Sequence, residues 1–250
     1  TLGNLVPEDT NGVRDIYLYD IQTSALELVS VNLSGTEAGN AKSEGYLVSI
    51  SRDGRFVAFY SDATDLVADD SNGNTDVFLR DRQAGTTELI SQATDGTQGN
   101  DYSYVYDDGI SDDGRFVTFY SPATNLDASV TDSNGQIDAF VRDRVAGTTT
   151  LITRAFGTSM SADGLSYVTD LSADGDTLVI HSEASNLTEV SLSSTGQVYR
   201  FTLSTGVFEL LTDDNNGGVL GGTNAEGSLS ADGRFLLFVN LGSTEFAPAG

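Results

Sequence analysis

Three segments of the sequence carry oxygen donors at one repeated spacing: Asp9-Thr10-Asn11-Gly12-Val13-Arg14-Asp15, Asp70-Ser71-Asn72-Gly73-Asn74-Thr75-Asp76 and Asp132-Ser133-Asn134-Gly135-Gln136-Ile137-Asp138. All three read Asp-x-Asn-Gly-x-x-Asp. Calcium takes roughly six to eight oxygen ligands, and a tight loop offering side-chain oxygens at alternate places can wrap it. Glycine at the fourth place permits the sharp turn. The candidate metal ligands are therefore Asp9, Asn11, Asp15, Asp70, Asn72, Asp76, Asp132, Asn134 and Asp138, with calcium as the expected cofactor. Glu8, Asp69 and Thr131 stand just before the first Asp and could add an oxygen. The competing reading is an ordinary β-turn, since Asp and Asn before Gly bond their own backbone. Recurrence at equivalent places favours the cation, and a fourth segment supplies the contrast. Ser193-Ser194-Thr195-Gly196-Gln197-Val198-Tyr199 keeps a glycine and loses both carboxylates, so a turn is expected there and a metal is not.

Charge and composition narrow the chemistry further. Lys and Arg number 12 against 37 Asp and Glu, a net charge of −25, which repels phosphate backbones and anionic lipid. No nucleic-acid partner is expected. Nor is membrane insertion, since no stretch is apolar enough to span a bilayer at a mean hydropathy of −0.15. Cysteine is absent, which removes disulfides, thiolate metal sites and a cysteine nucleophile. His181 is the sole histidine, so any catalytic triad or imidazole metal site would have to use it; a buried strand position is the expected home instead. A glycosidase needs only two carboxylates, but 37 acidic residues make any one pair unspecific. No catalytic residue is assigned. The chain opens at Thr1 without Met, which points to a processed or excerpted chain.

The elements that must position the three loops come from a repeat. Ser-x-Asp-Gly recurs at Ser51–Gly54, Ser111–Gly114, Ser172–Gly175 and Ser230–Gly233, with glycines 60, 61 and 58 residues apart. Arg-Phe and an apolar run follow in three copies; the third degenerates to Asp176-Thr177-Leu178-Val179-Ile180-His181. A second landmark lies further on: Asp76-Val77-Phe78-Leu79-Arg80-Asp81, Asp138-Ala139-Phe140-Val141-Arg142-Asp143 and Tyr199-Arg200-Phe201-Thr202-Leu203-Ser204, with an early copy at Asp15–Asp20. Each unit reads as four short strands, A to D, with Asp-Gly as the A-to-B hairpin. Strand B is apolar on both alternating faces, which one sheet cannot cover and radially stacked sheets can.

The repeat resembles the TolB-type, WD-repeat-like propeller family, in which a Ser-x-Asp-Gly-Arg hairpin before an apolar β run is the signature. The acidic loops resemble the first half of an EF-hand loop and, more, the calcium loops of integrin α-subunit propellers, without a Glu at the twelfth position. The expected fold is an all-β propeller of four-stranded antiparallel blades in a single domain, 1–250. Its units span about 44–92, 105–152, 166–212, and 228–250 joined with 1–30. Four blades follow if the two ends share one.

The expected function is a calcium-binding, extracellular or cell-surface propeller that serves as a non-catalytic binding, adhesion or structural module. Its protein or glycan ligand is unnamed, and head-to-tail self-association through the terminal strands is open to it. The alternatives are a carbohydrate-active enzyme using an acidic pair and a TolB-like periplasmic partner-binding propeller. Two lesser features complete the reading. Asp213–Gly218 looks like a flexible loop, and Tyr102, Tyr104 and Tyr106 alternate along one face, read as sheet packing ahead of a carbohydrate platform.

Overall fold

The computed structural model describes residues 5–190, 196–212 and 224–240. Those residues form fifteen strands and no helix, hence no helix long and apolar enough to cross a membrane. β1 (Tyr17–Asp20) and β2 (Ala25–Leu28) make the first sheet, and β3 (Ser43–Ile50), β4 (Phe56–Ser61), β5 (Asp76–Asp81) and β6 (Thr86–Leu89) the second. β7 (Phe116–Ser121), β8 (Asp138–Asp143) and β9 (Thr148–Leu151) make the third. Its inner position is held by single bridges from Tyr104 to Tyr120 and Ile110 to Val117. β10 (Ser166–Leu171), β11 (Thr177–Ser182), β12 (Gln197–Thr202) and β13 (Val207–Leu210) form the fourth, β14 (Asn224–Leu229) and β15 (Leu236–Asn240) the fifth. Every strand pair is antiparallel and consecutive in sequence, the meander of a propeller blade.

Burial confirms why the B strands are apolar on both sides. Val57 and Phe59 of β4 join a cluster with Val29, Leu66 and Phe78, against which Leu18 of β1 and Ile16, just before it, pack. Phe56 and Ala58 face the other way, into a cluster with Val105, Val117 and Phe119 of the third. Val141 of β8 and Leu178 and Ile180 of β11 share the next interface. Each full burial of such a side chain stabilises by about 1.5–3 kcal/mol, so stacking between sheets, not pairing within them, supplies most of the core.

The Asp-Gly-Arg-Phe signature also has a role between blades. A Cβ built on Gly114, at φ +68°, would sit 2.3 Å from the ring of Phe56 in the preceding sheet; one on Gly175 would sit 2.4 Å from Phe116. The hairpin glycine is thus the seat for the previous repeat's phenylalanine. Arg144 braces this seat, donating to the Gly114 carbonyl at 2.6 Å and to Glu88 of β6 at 2.8 Å. Arg82 does the same with Gly54 and Glu27. Gly114→Ala should lower stability by about 3 kcal/mol, combining left-handed strain with overpacking. Gly147→Ala, also left-handed at φ +70° but facing open space, should cost only about 1 kcal/mol. Denaturant unfolding of the two variants separates the clash from the backbone term.

Among the described residues the two ends do not pair into one blade. β1–β2 and β14–β15 are separate two-stranded sheets, and no pairing joins β15 to β1 among the described residues. Each packs instead on its own sequence neighbour: Ile16 and Leu18 on the second sheet, and β14 against β10, β11 and β12. Leu237 and Val239 of β15 and Tyr19 of β1 consequently stay exposed. Residues 1–4, 241–250 and Asp213–Gly218 lie outside the described residues.

Candidate metal centre

The three acidic loops sit at one end of successive sheets, just before β1, between β4 and β5, and between β7 and β8. The last Asp of each stands at the start of strand C, as the first residue of β5 and β8 for Asp76 and Asp138 and two residues ahead of β1 for Asp15, and is held from the far side by a hydroxyl just past strand D. Ser30 donates to Asp15 at 2.8 Å, Ser91 to Asp76 at 2.6 Å and Thr153 to Asp138 at 3.0 Å. The same hydroxyls accept the backbone N–H of Ile16, Val77 and Ala139. Strand D and the chain leaving it therefore fix one carboxylate oxygen and leave the other facing the loop.

The middle Asn shapes the loop and ties it down. Its Oδ1 accepts the N–H two residues on, from Val13, Asn74 and Gln136 at 2.7–2.9 Å. Its Nδ2 donates to a backbone carbonyl on the connection toward the next sheet: Gly39 at 2.8 Å, Gly99 at 3.2 Å and Ala162 at 2.7 Å. Asn11, Asn72 and Asn134 thus build the turn, as the β-turn reading requires, and each Oδ1 keeps one lone pair for a further contact.

A turn alone does not account for the carboxylates. Asp9 Oδ1, Asp15 Oδ2, Asp70 Oδ1, Asp76 Oδ2 and Asp132 Oδ2 are buried without any hydrogen-bond partner. Asp76 and Asp138 are wholly buried. Burial pushes the Asp76 carboxyl up to about 6, with the Ser91 hydrogen bond and the nearby Asn72 amide opposing and the Asp70 charge adding to it. Asp138 is pushed up to about 7, again by burial first, against the Asn134 hydrogen bond and with the Asp132 charge adding. Asp15, Asp70 and Asp132 shift upward by burial as well. A buried carboxylate oxygen without a donor costs several kcal/mol unless it is protonated or meets a cation.

The donor set suits a hard cation. Each loop offers two carboxylates, an amide oxygen and a nearby main-chain carbonyl, with no nitrogen or sulfur ligand. Among the described residues no three His, Cys, Asp or Glu side chains converge, so neutral oxygens must complete any coordination shell. Glu8, Asp69 and Thr131 have exposed side chains and stand outside this arrangement.

The fourth unit corrects the sequence alignment. Gln197 pairs with Ser182 as Asp76 pairs with Ser61 and Asp138 with Ser121, so Gln197, not Tyr199, is the counterpart of the last Asp. Thr212 donates to Gln197 Oε1 and keeps the hydroxyl's place. A neutral amide here replaces the buried charge. The strand-C ends behave as turn caps: Asp81 accepts Gln83 and Ala84 N–H, Asp143 those of Val145 and Ala146, and Asp20 those of Gln22 and Thr23. His181 is buried in β11 and stacks on Tyr167, with ring centroids 5.0 Å apart.

No family model matches the chain, and no curated protein matches it. Solved structures that it resembles include a putative TolB from Agrobacterium tumefaciens, with TM-score 0.51 and 19% identity over 90% of this chain and 61% of that one. An oligogalacturonate lyase in complex with manganese gives TM-score 0.54 and 12% identity over 89% of this chain and 52% of that one. TolB from Acinetobacter baumannii gives 0.48 and 19% over 89% and 42%. The chain therefore spans about half the length of these structures. With its radially stacked antiparallel sheets, the chain has a TolB-like β-propeller fold.

Proposed function

We propose that the chain is a calcium-stiffened, non-catalytic binding module whose three acidic loops each hold one cation. The observation that supports this reading most is the set of five unpartnered, buried carboxylate oxygens, distributed over all three loops. Ligation would tie strand C to the connection toward the next sheet, because the Asn of each loop already reaches the Gly39, Gly99 and Ala162 carbonyls. Weak sites of this kind fill at the millimolar calcium found outside the cytosol, which supports a location in the periplasm or at the cell exterior. The scaffold is shared with TolB and with a manganese-bound lyase, so fold does not decide between binding and catalysis. The site chemistry favours binding: the only imidazole is buried in a sheet, and the last carboxyl of each acidic loop is held by a side-chain hydroxyl of its own sheet, Ser30, Ser91 or Thr153.

Calorimetric titration of metal-free protein tests this. Three calcium sites with Kd of about 10⁻⁵ to 10⁻³ M are expected, with magnesium weaker because it demands stricter octahedral geometry. No heat at millimolar calcium would refute the reading.

A further inference from the structure

Six of the ten tyrosines form one unbroken run of ring contacts across the second, third and fourth sheets. Tyr60 meets Tyr104 at 4.7 Å, Tyr104 meets Tyr102 at 5.1 Å and Tyr120 at 5.7 Å, and Tyr106 links Tyr120 at 6.1 Å to Tyr167 at 5.4 Å. All six are half-buried. The alternation of Tyr102, Tyr104 and Tyr106 does pack a sheet face, but the packing is incomplete. Tyr60, Tyr104 and Tyr120 line a cavity of about 310 Å³, and Lys42, Glu44 and Asp62 form its other wall.

The polar wall is charge-balanced. Lys42 Nζ lies 3.4 Å from Glu44 and 3.4 Å from Asp62, while Arg14 bonds Glu44 at 2.6 Å and Thr75 donates to Asp62 at 2.6 Å. Two cations thus answer two carboxylates inside a chain of net charge −25. A charged ligand would have to compete with these pairs for one partner of each. A neutral ligand keeps them and can use their remaining donor and acceptor capacity. Aromatic faces opposite a fixed grid of donors and acceptors suit a ring with apolar C–H faces and equatorial hydroxyls.

We propose that this cavity binds one residue of a neutral saccharide, its C–H face on Tyr104 and Tyr120 and its hydroxyls on Lys42, Glu44 and Asp62. The cavity lies at the small end of ligand pockets, which limits it to about one sugar ring. This inference names a ligand class for the binding-module reading and rests on it; Arg14 and Thr75, which brace the polar wall, belong to the first two acidic loops, while the ligand would touch none of the candidate cation ligands.

The test uses calcium-saturated protein and three probes: cellotetraose, maltotetraose and chitotetraose. Binding is read by calorimetry and by intrinsic tyrosine fluorescence, which is unmasked because the sequence has no tryptophan. At least one probe should bind with Kd of about 1 mM or tighter. Tyr104→Ala should weaken it about tenfold. Lys42→Met, at a half-exposed position, should weaken it about threefold. Raising the salt should leave the affinity unchanged, as a neutral ligand requires. Failure of all three probes at about 10 mM would overturn the proposal. So would a salt-sensitive lysine-rich peptide whose binding is lost in Tyr104→Ala while the sugars do not bind. A calcium titration of metal-free protein reports separately on the cation loops.

Discussion

Adding calcium to the metal-free chain raises its melting temperature by about 10 °C at roughly ten times Kd. Each site contributes RT ln(1 + [L]/Kd), about 1.4 kcal/mol at that excess, when only the folded loop binds. Three loops give about 4 kcal/mol, and a chain of this size shifts by roughly 2–4 °C per kcal/mol. Sodium at equal ionic strength should give far less, since screening relieves the net charge of −25 without filling the loops. Differential scanning calorimetry with calcium against matched sodium decides it; equal shifts from the two salts would reduce the effect to screening.

The second large effect is a reversal of sign. Asp76→Asn should stabilise the metal-free chain at pH 7.5 and destabilise it, relative to the parent, in calcium. Asp76 Oδ2 is buried without a partner, so the amide removes an uncompensated charge, as Gln197 does in the fourth unit. A carboxyl whose folded pKa lies above its unfolded value adds stability that is complete below the unfolded value and lost as pH rises through the folded one. For Asp76 and Asp138 that window runs from the ordinary 3.8 up to about 6 and about 7. Metal-free protein should therefore lose stability as pH rises across it, by roughly 3 kcal/mol for Asp76 and roughly 4 kcal/mol for Asp138. Calcium should abolish the loss, and Asp76→Asn should remove its own share. Thermal melts of parent and variant between pH 4 and 8, in chelator and in calcium, supply the comparison. A variant less stable than the parent in chelator would contradict the account.

Much of this was legible in the residues because the chemistry repeats. Ser-x-Asp-Gly-Arg-Phe marked the hairpin and strand B, and the doubly apolar run from Phe56 to Tyr60 demanded a sheet on either side, as found. Asp-x-Asn-Gly-x-x-Asp marked the loops and their paired carboxylates. What was hidden involves partners in another segment. The seating of Phe56 on Gly114 joins consecutive repeats and leaves no trace within either. Ser30, Ser91 and Thr153 were missed although each lies fifteen residues after its Asp, behind an apolar residue. That spacing was the available signal. The register of the fourth unit is not legible from its glycine, because strand pairing puts Gln197, directly after Gly196, at the Asp position. Closure of the ends followed from counting strands, which cannot reveal that each terminal sheet is anchored to its own neighbour.

Anomalous diffraction from crystals grown in calcium tests the central claim most directly. The account predicts one peak in each of three loops, between Asp9 and Asp15, Asp70 and Asp76, and Asp132 and Asp138, with none beside Gln197. Saturating calcium that leaves only water-like density in all three loops would contradict it.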